Sequence, residues 1–471
     1  MRRLDPRWML AGVLVLASIA FLAHGVDEAL EHDEGVFVIA STAVADGALP
    51  YVEVFDNTGP LGPWVGGAGV ALGRTVRASD VTSARAVYVP VALAILVMVF
   101  TLVRRMTGDA AIASIAVAAL VALPAFSREA LSGPRPKLLM IAFEIGALLA
   151  LQRRRWFVAG VAVGLAALTW QVAAIVGIVA VAVAITSQRP ARAAASVAAG
   201  VSTPVMAVTL VYVVAGRADT LWEGMVGWNL RYAWGSRSPR SIAARFIDPI
   251  RDAWSADIVS WPILALGILC VIVVAVACLR REGRMGLERP IVWVAALVVV
   301  WLVWTWIDEQ SVADLLPLMP LAALGFAVGV DHVRRVRPIV VPVALAAIIA
   351  VAAIETVRTR DVTLVDQRRI VAAITRGRRL ASYDGPTALA LAGSRNPTRF
   401  MFEVPGLSRF LTEHDVIDPF VRELTGPDVD VVAARIQLDR TDPLERALHD
   451  ALVADFEPRR MDDLSFWVRR A

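Results

Sequence analysis

Long apolar runs separated by short polar segments dominate the chain and predict membrane-spanning helices. A helix needs about 20 apolar residues to cross a hydrocarbon core of about 30 Å. Runs close to that length lie at residues 8–26, 83–103, 109–126, 136–151, 192–215, 259–279, 290–307, 311–330 and 338–356. A longer run, 156–186, is interrupted at Thr169-Trp170-Gln171 and predicts two helices joined as a hairpin. The pattern therefore predicts eleven spans.

A further apolar segment, 60–76, is rich in glycine and contains Pro60 and Pro63. The positive-inside rule decides how it is placed, because arginine clusters between spans favour the cytoplasm. If 60–76 does not cross and the N-terminus is cytoplasmic, all of these clusters lie inside. If it crosses, all of them lie outside. We therefore predict a re-entrant or interface-lying helix at 60–76, one external loop over 27–82, and an extracytoplasmic C-terminus.

The residues from 358 onward contain no run long enough to span the membrane. Their apolar segments are short and are separated by charged residues, which is typical of a small α/β domain. The predicted strands are 387–392, 430–434 and 466–468, and the predicted helices are 366–381 and 443–454. The chain is thus predicted to be an α-helical polytopic membrane protein over 1–357, with a small extracytoplasmic α/β domain over 358–471.

Composition narrows the function classes. Hydrophobic residues make up 57% of the chain and charged residues 19%, whereas a soluble domain has about 25% charged residues. The net charge of +4 is small, and the cations form no cluster of the kind that binds nucleic acid. Cys270 and Cys278 lie within one apolar run and predict neither a disulfide framework nor a metal site. The apolar run at the N-terminus is interpreted as a retained anchor in the cell membrane, and a cleavable signal peptide is the alternative.

The first external loop contains the main candidate residues. Its motifs begin with His32-Asp33-Glu34-Gly35 and continue through a helix-like stretch to Tyr51. Asp56 follows, three residues before Gly59-Pro60. Carboxylates at the membrane surface are costly unless they are paired or used. The structural alternative is that the acidic pair only ends a helix at the interface. His32 is interpreted as a structural histidine.

This order of an acidic pair, a short helix, a Pro-Tyr turn and Asp-x-x-Gly-Pro resembles the first external loop of the glycosyltransferase C (GT-C) superfamily. The protein O-mannosyltransferases and the lipid A aminoarabinose transferases are similar in pattern over residues 8–190. The resemblance implies a GT-C-like fold and a polyprenyl-phosphate sugar as donor. It also implies that Asp33 is the general base, since it matches the family's catalytic aspartate. Glu34 is expected to orient Asp33 or to help the acceptor bind.

The second external loop adds one carboxylate and three cations. The resemblance implies that Glu129 is the second acidic residue of the site. Arg128, Arg135 and Lys137, the last being the only lysine in the chain, are candidates for binding the donor phosphate. Their structural alternative is contact with lipid headgroups. Two basic residues of the family pattern are missing, one shortly after Glu34 and one at Thr58, so the resemblance does not identify the sugar.

Other residues on the predicted outer side are weaker candidates. Acceptor or lipid contacts are expected from the following side chains: Asp56, Tyr51, Arg231, Trp228, Asp308 and Glu309. The alternatives are an aromatic belt for the tryptophans and solvated charge for the acidic turn. Asp308 and Glu309 are also candidates for sharing a divalent cation with Asp33. That cation is the one cofactor the sequence leaves open.

The sequence thus predicts a glycosyltransferase of the cell membrane. It is expected to move a hexosyl or pentosyl group from a polyprenyl-phosphate donor to a glycan, lipid or protein acceptor outside the membrane. One alternative is a transporter or flippase of lipid-linked sugars, which would place ionisable residues at mid-membrane, where these spans have few. Another alternative is a non-catalytic membrane scaffold that displays the C-terminal residues.

Overall fold

The structure is a computed structural model, and it describes residues 5–24, 28–233, 260–308, 312–335, 339, 348, 363–461 and 464–470. The helices that precede residue 340 are α1 Pro6–His24, α2 His32–Ala45, α3 Leu61–Thr75, α4 Asp80–Ala86, α5 Tyr88–Thr107, α6 Ala110–Val121, α7 Pro124–Ser132, α8 Pro136–Gln152, α9 Trp156–Thr169, α10 Ala174–Ile185, α11 Pro190–Val214, α12 Ala218–Trp222, α13 Ser260–Glu282, α14 Pro290–Asp308 and α15 Leu318–Arg334. Short 3-10 or π-helical turns lie at Gln171–Ala173, Glu223–Gly227, Asn229–Ala233, Gly283–Glu288 and Val312–Leu315.

A helix lies at each predicted span up to residue 330. Among the described residues, four helices are long and apolar enough to cross a membrane: Asp80–Thr107, Pro190–Val214, Trp261–Glu282 and Pro290–Ile307. A fifth candidate is the pair Ala110–Val121 and Pro124–Ala130, which is bent by 77°. The last predicted span, 338–356, lies outside the described residues except for 339 and 348. The described residues thus contain four or five helices able to span a membrane, and the number eleven stays a prediction.

The apolar run 156–186 is divided as its sequence predicts. Helix α9 ends at Thr169, a 3-10 turn follows at Gln171–Ala173, and helix α10 begins at Ala174. Trp170 has an extended backbone there (φ −147°, ψ 117°), which interrupts the helical hydrogen bonds. The predicted non-crossing segment 60–76 forms helix α3, and α3 packs against α2.

The residues after 363 form a four-stranded sheet with helices, in which β1 is Leu380–Ser382, β2 Val431–Ala433, β3 Phe456–Met461 and β4 Leu464–Arg469. The strand order is β1-β2-β4-β3, with β1 parallel to β2 and the other pairs antiparallel. The helices of this region are α16 Leu364–Thr375, α17 Pro386–Ala392, α18 Leu407–Glu413, α19 Ile417–Leu424 and α20 Pro443–Asp455. The division of the chain at residue 357 stays a prediction.

The predicted strand at 387–392 is wrong, because Pro386–Ala392 is helical. Pro386 occupies the first turn, where a missing N–H costs nothing, and Gly393 ends the helix in the left-handed region (φ 62°). The apolar run between them has no β-branched residue after Thr387 and is rich in alanine and leucine, which favour a helix. The predicted helix 366–381 is also too long, because its last residues form β1.

The C-terminal region lies directly on the first loop, at residues 30–35. Gln367 exchanges two hydrogen bonds with the backbone of Leu30, at 2.7 and 3.2 Å. The Thr387 hydroxyl donates to the Glu31 carbonyl at 3.1 Å. Helix α17 approaches α2 at Gly35, where a Cβ atom would lie 2.5 Å from the Thr387 nitrogen. Gly35 therefore permits the backbone contact that holds the two elements together.

Candidate active site

The two adjacent carboxylates of the first loop occupy different environments. Helix α2 begins at His32, and the Glu34 carboxylate accepts a hydrogen bond from the Glu31 backbone N–H at 3.0 Å, which caps the helix. The Asp33 side chain is 62% exposed, whereas the Glu34 side chain is fully buried. Successive helix residues point about 100° apart. Asp33 is therefore the carboxylate that a substrate can reach.

Glu34 forms a buried ion pair with Arg85. The Arg85 Nη2 atom lies 3.2 Å from Glu34 Oε2, and both side chains are fully buried. Arg85 also donates to the Glu28 carbonyl at 2.7 Å. The pair thus joins α4 to the start of the loop. This geometry favours a structural role for Glu34 over the expected contact with the acceptor.

Arg135 forms ion pairs with three carboxylates, one of which is the candidate base Asp33. Its guanidinium lies 2.7 Å from Glu31, 3.3 Å from Asp33 Oδ2 and 2.8 Å from Glu129. The Arg135 and Glu129 side chains are 7% and 8% exposed. Arg135 therefore joins the second loop to the first, and Glu129 contacts the site through this arginine.

The other two candidate cations also have acidic partners. Lys137 Nζ lies 2.6 Å from Asp314 Oδ1 and 4.8 Å from the centroid of a Trp170 ring. Its side chain is 19% exposed. Arg128 pairs with Glu28 at 3.2 Å and is more than half exposed. Their expected contact with the donor phosphate stays a prediction.

His32 and the cations set the charge of Asp33. Burial alone would lower the pKa of His32, but the hydrogen bonds to Asp33 and Asp384 raise the pKa to about 9. The His32 hydrogen bond lowers the pKa of Asp33, and the charges of Arg135 and Lys137 lower it further against the effect of desolvation. Asp33 is thus ionised at neutral pH.

The second half of the loop forms a tight turn against the tip of the α9–α10 hairpin. The Asp56 carboxylate accepts from the Thr58 N–H at 3.1 Å and from its hydroxyl at 2.7 Å, while burial raises the pKa of Asp56 to about 6. The Tyr51 hydroxyl donates to the Thr58 carbonyl at 2.6 Å. Gly59 packs on Leu168 so closely that a Cβ atom would lie 2.0 Å from the Leu168 carbonyl oxygen. The Asp-x-x-Gly-Pro motif here shapes a turn.

The remaining candidates are scattered. Trp228 is fully buried in an aromatic cluster, and its Nε1 atom donates to the Pro405 carbonyl at 3.0 Å. The structure therefore favours a packing role for Trp228 and Tyr51 over contact with lipid. Arg231 is exposed in the π-helical turn that follows Trp228. Asp308 is the last residue of α14, and Glu309 lies outside the described residues.

The surroundings of Asp33 do not fit a divalent cation. One of its oxygens faces Arg135 and the other faces His32, so a metal ion there would meet two positive groups. Within the described ranges, no three side chains of His, Cys, Asp or Glu are grouped as metal ligands.

The sequence interpretation missed several residues of this site. His32 contacts Asp33 and also Asp384, which is 352 positions away. Its structural interpretation stays a prediction. Its position next to Asp33 was the available signal. Nothing local in the sequence indicates Asp384, or the pairing of Asp314 with Lys137.

Comparison with known proteins reveals the same architecture elsewhere. ArnT from Cupriavidus metallidurans in the apo state superposes with a TM-score of 0.63 at 15% identity, over 98% of this chain and 97% of that one. The chain has the GT-C fold. The undecaprenyl phosphate-bound form of the same ArnT gives a TM-score of 0.61 at 16% identity, with 98% and 97% covered. The archaeal oligosaccharyltransferase AglB from Archaeoglobus fulgidus, in complex with an inhibitory peptide and a dolichol-phosphate, gives 0.55 at 12%, with 98% and 74% covered.

A family profile agrees with this GT-C assignment. Residues 66–212 match the family described as DolP-mannose mannosyltransferase. A search of curated protein sequences finds no match. The resemblance to polyprenyl-phosphate-dependent GT-C enzymes that the first loop predicts is therefore confirmed.

Proposed function

We propose that this GT-C protein is a membrane glycosyltransferase that moves a sugar from a polyprenyl-phosphate donor to an acceptor hydroxyl on the outer face of the cell membrane. The observation that carries this proposal is the Asp33 carboxylate, which is 62% exposed while Arg135 and His32 hold its two oxygens. An ionised carboxylate of fixed orientation that remains open to a substrate is suited to act as a general base.

The proposed reaction is a single displacement at the anomeric carbon. The acceptor oxygen forms a bond to this carbon as the bond from the carbon to the phosphate oxygen breaks, and Asp33 takes the hydroxyl proton. The departing phosphate carries its own negative charge and needs a cation more than a proton. Lys137 is the proposed contact, because Asp314 takes one of its three donors and the side chain is partly exposed. Arg135 serves Asp33 instead.

The proposed class of donor is based on the names and bound lipids of similar proteins. The matched family is described as DolP-mannose mannosyltransferase, and the two superposed proteins are bound to undecaprenyl phosphate and to a dolichol-phosphate. All three are polyprenyl phosphates or their sugar esters. A polyprenyl-phosphate monosaccharide is therefore the proposed donor, with mannose as the first sugar to test and a pentose as the second.

Purified protein in lipid nanodiscs is expected to transfer sugar from a lipid-linked donor and not from a sugar nucleotide. Envelope extract from a deletion strain would supply the acceptor, and radiolabelled polyprenyl-phosphate mannose, polyprenyl-phosphate arabinose and GDP-mannose would be compared. Label is expected in the extract with one of the two lipid donors and not with Asp33→Asn protein. Equal transfer from GDP-mannose in the absence of any lipid donor would overturn the proposal.

The outer-face location has its own prediction. The arginine pair Arg104-Arg105 lies in the last turn of α5, a helix that begins near the first loop. The positive-inside rule therefore assigns this pair to the cytoplasm and Asp33 to the opposite face. Alkaline phosphatase fused after residue 471 is expected to be active in intact cells, and a fusion after residue 105 inactive. The opposite pair of results would contradict an extracytoplasmic C-terminus.

A further inference from the structure

His32 lies between two carboxylates that are far apart in the sequence. Its Nδ1 atom is 3.4 Å from Asp33 Oδ1, and its Nε2 atom is 2.9 Å from Asp384 Oδ1. A histidine can donate from both ring nitrogens only when it is protonated. The two contacts therefore describe an imidazolium that bridges α2 and the C-terminal region.

Asp384 is itself held firmly. Its other oxygen, Oδ2, lies 2.7 Å from Arg435 Nε, and its side chain is only 13% exposed. Arg435 is fixed in turn by Glu403 and by Glu445, the latter at 3.0 Å. The backbone N–H of Asp384 points to the Ala433 carbonyl of β2 at 3.4 Å. The sheet thus determines where the Asp384 carboxylate lies.

The His32 ring has little freedom between these partners. The ring also makes an edge-to-face contact with the Phe402 ring, at a centroid distance of 6.1 Å and an interplanar angle of 77°. Arg135 contacts the other oxygen of Asp33, so both oxygens of the Asp33 carboxylate have a positively charged partner. Arg135 belongs to the second loop, whereas His32 is held by Asp384, in the C-terminal region.

We infer that Asp384 is a positioning residue for the transfer reaction: acting through His32, it orients the Asp33 carboxylate, so that the C-terminal region completes the active site. This inference rests on the proposed function of Asp33. The distances join the groups in one chain, Arg435 to Asp384 to His32 to Asp33. Asp384 touches no reacting atom, and its effect is on the geometry and charge state of its neighbour.

The arrangement has a signature in pH. Burial lowers the pKa of His32, but Asp33 on its own helix and Asp384, in the bend that follows β1, raise the pKa to about 9. Among the described residues, Arg135 and Lys137 are the further cations that act on Asp33, and Arg435 is the cation that pairs with Asp384. Above about pH 9, His32 loses one of its two donors and can no longer hold both carboxylates. Transfer is therefore expected to fall there.

The test is the alkaline limb of the rate profile. We expect kcat of the Asp384→Asn protein to drop about tenfold and its alkaline limb to move down by about one pH unit or more, because one of two charges that favour the imidazolium is gone. The KM for the lipid donor is expected to change less than twofold, which corresponds to a change of less than about 0.4 kcal/mol in apparent binding free energy. Asp384→Glu is expected to restore the limb. Asp428→Asn makes the same change at an exposed carboxylate of the C-terminal region that pairs with Arg379 at 3.3 Å. It is the matched control and is expected to keep the wild-type alkaline limb.

A second readout does not depend on turnover. The chain has 5 histidines, so His32 can be assigned in an NMR titration of histidine-labelled protein from the signal that disappears in His32→Gln. The midpoint of the His32 titration is expected to move down in Asp384→Asn and to stay unchanged in Asp428→Asn. An unchanged midpoint, or a lower kcat with an unmoved alkaline limb, would overturn the inference while leaving Asp33 as the base. Full transfer by Asp33→Asn together with a moved midpoint would instead overturn the proposed function.

Discussion

Replacement of Asp33 by asparagine is expected to lower kcat by about 10²- to 10⁴-fold, the usual contribution of a general base. Asparagine retains the size of the side chain but cannot accept the acceptor's proton. The folded state is expected to survive, because the Asp33 side chain is mostly exposed and replacing an exposed charge changes stability by no more than about 1 kcal/mol. The KM for the donor is expected to change little.

The measurement is the initial rate of sugar transfer by purified protein, with the thermal unfolding midpoint recorded for each variant. Asp80→Asn is the matched control, because Asp80 lies in the same loop and also pairs with an arginine, Arg74, at 2.7 Å. Its rate is expected to stay within about twofold of the parent, in line with an exposed pair worth less than about 1 kcal/mol. A parental rate for Asp33→Asn would remove Asp33 from the chemistry.

Asp33 and Glu34 show how much of the site can be predicted from the sequence. The acidic pair predicts the location of the site, and the GT-C resemblance selects Asp33 as the base. Which carboxylate faces solvent depends on the orientation of α2, and both faces of this helix pack against other elements. Residues Glu34, Gly35 and Val36 are all buried, so no polar stripe distinguishes the exposed side. Arg85 fixes the orientation from 51 positions away.

Local patterns predicted the helices and failed for contacts that the whole fold creates. Apolar runs of spanning length must be helical in lipid, because every backbone polar group has to be satisfied within the segment. The predicted strands at 430–434 and 466–468 also contain strands, since their valine and aromatic residues favour β-structure. By contrast, Asp384 approaches His32 only because α17, the helix that begins two residues after Asp384, packs on α2. No periodicity in the sequence encodes that approach.

The loss of Arg135 is expected to damage both stability and activity. Arg135→Met leaves the carboxylate of Glu129, which is 8% exposed, without the cation at 2.8 Å. Removing one partner of a buried ion pair costs about 3–5 kcal/mol, because the other charge remains buried. Asp33 and Glu31 lose the same partner, so the Asp33 carboxylate is also less well oriented. Transfer is expected to fall even in the fraction of protein that remains folded.

Thermal unfolding in nanodiscs and transfer rates per folded molecule separate these two effects. Arg128→Met is the matched control, because Arg128 belongs to the same loop but is more than half exposed and pairs with Glu28 at 3.2 Å. It is expected to cost less than about 1 kcal/mol. Adding Glu129→Gln to Arg135→Met is expected to recover part of the lost stability by removing the orphaned charge, but not the lost rate, since Asp33 still lacks its arginine. If the unfolding midpoint of Arg135→Met is no lower than that of Arg128→Met, the ion pairs of Arg135 do not hold the first and second loops together.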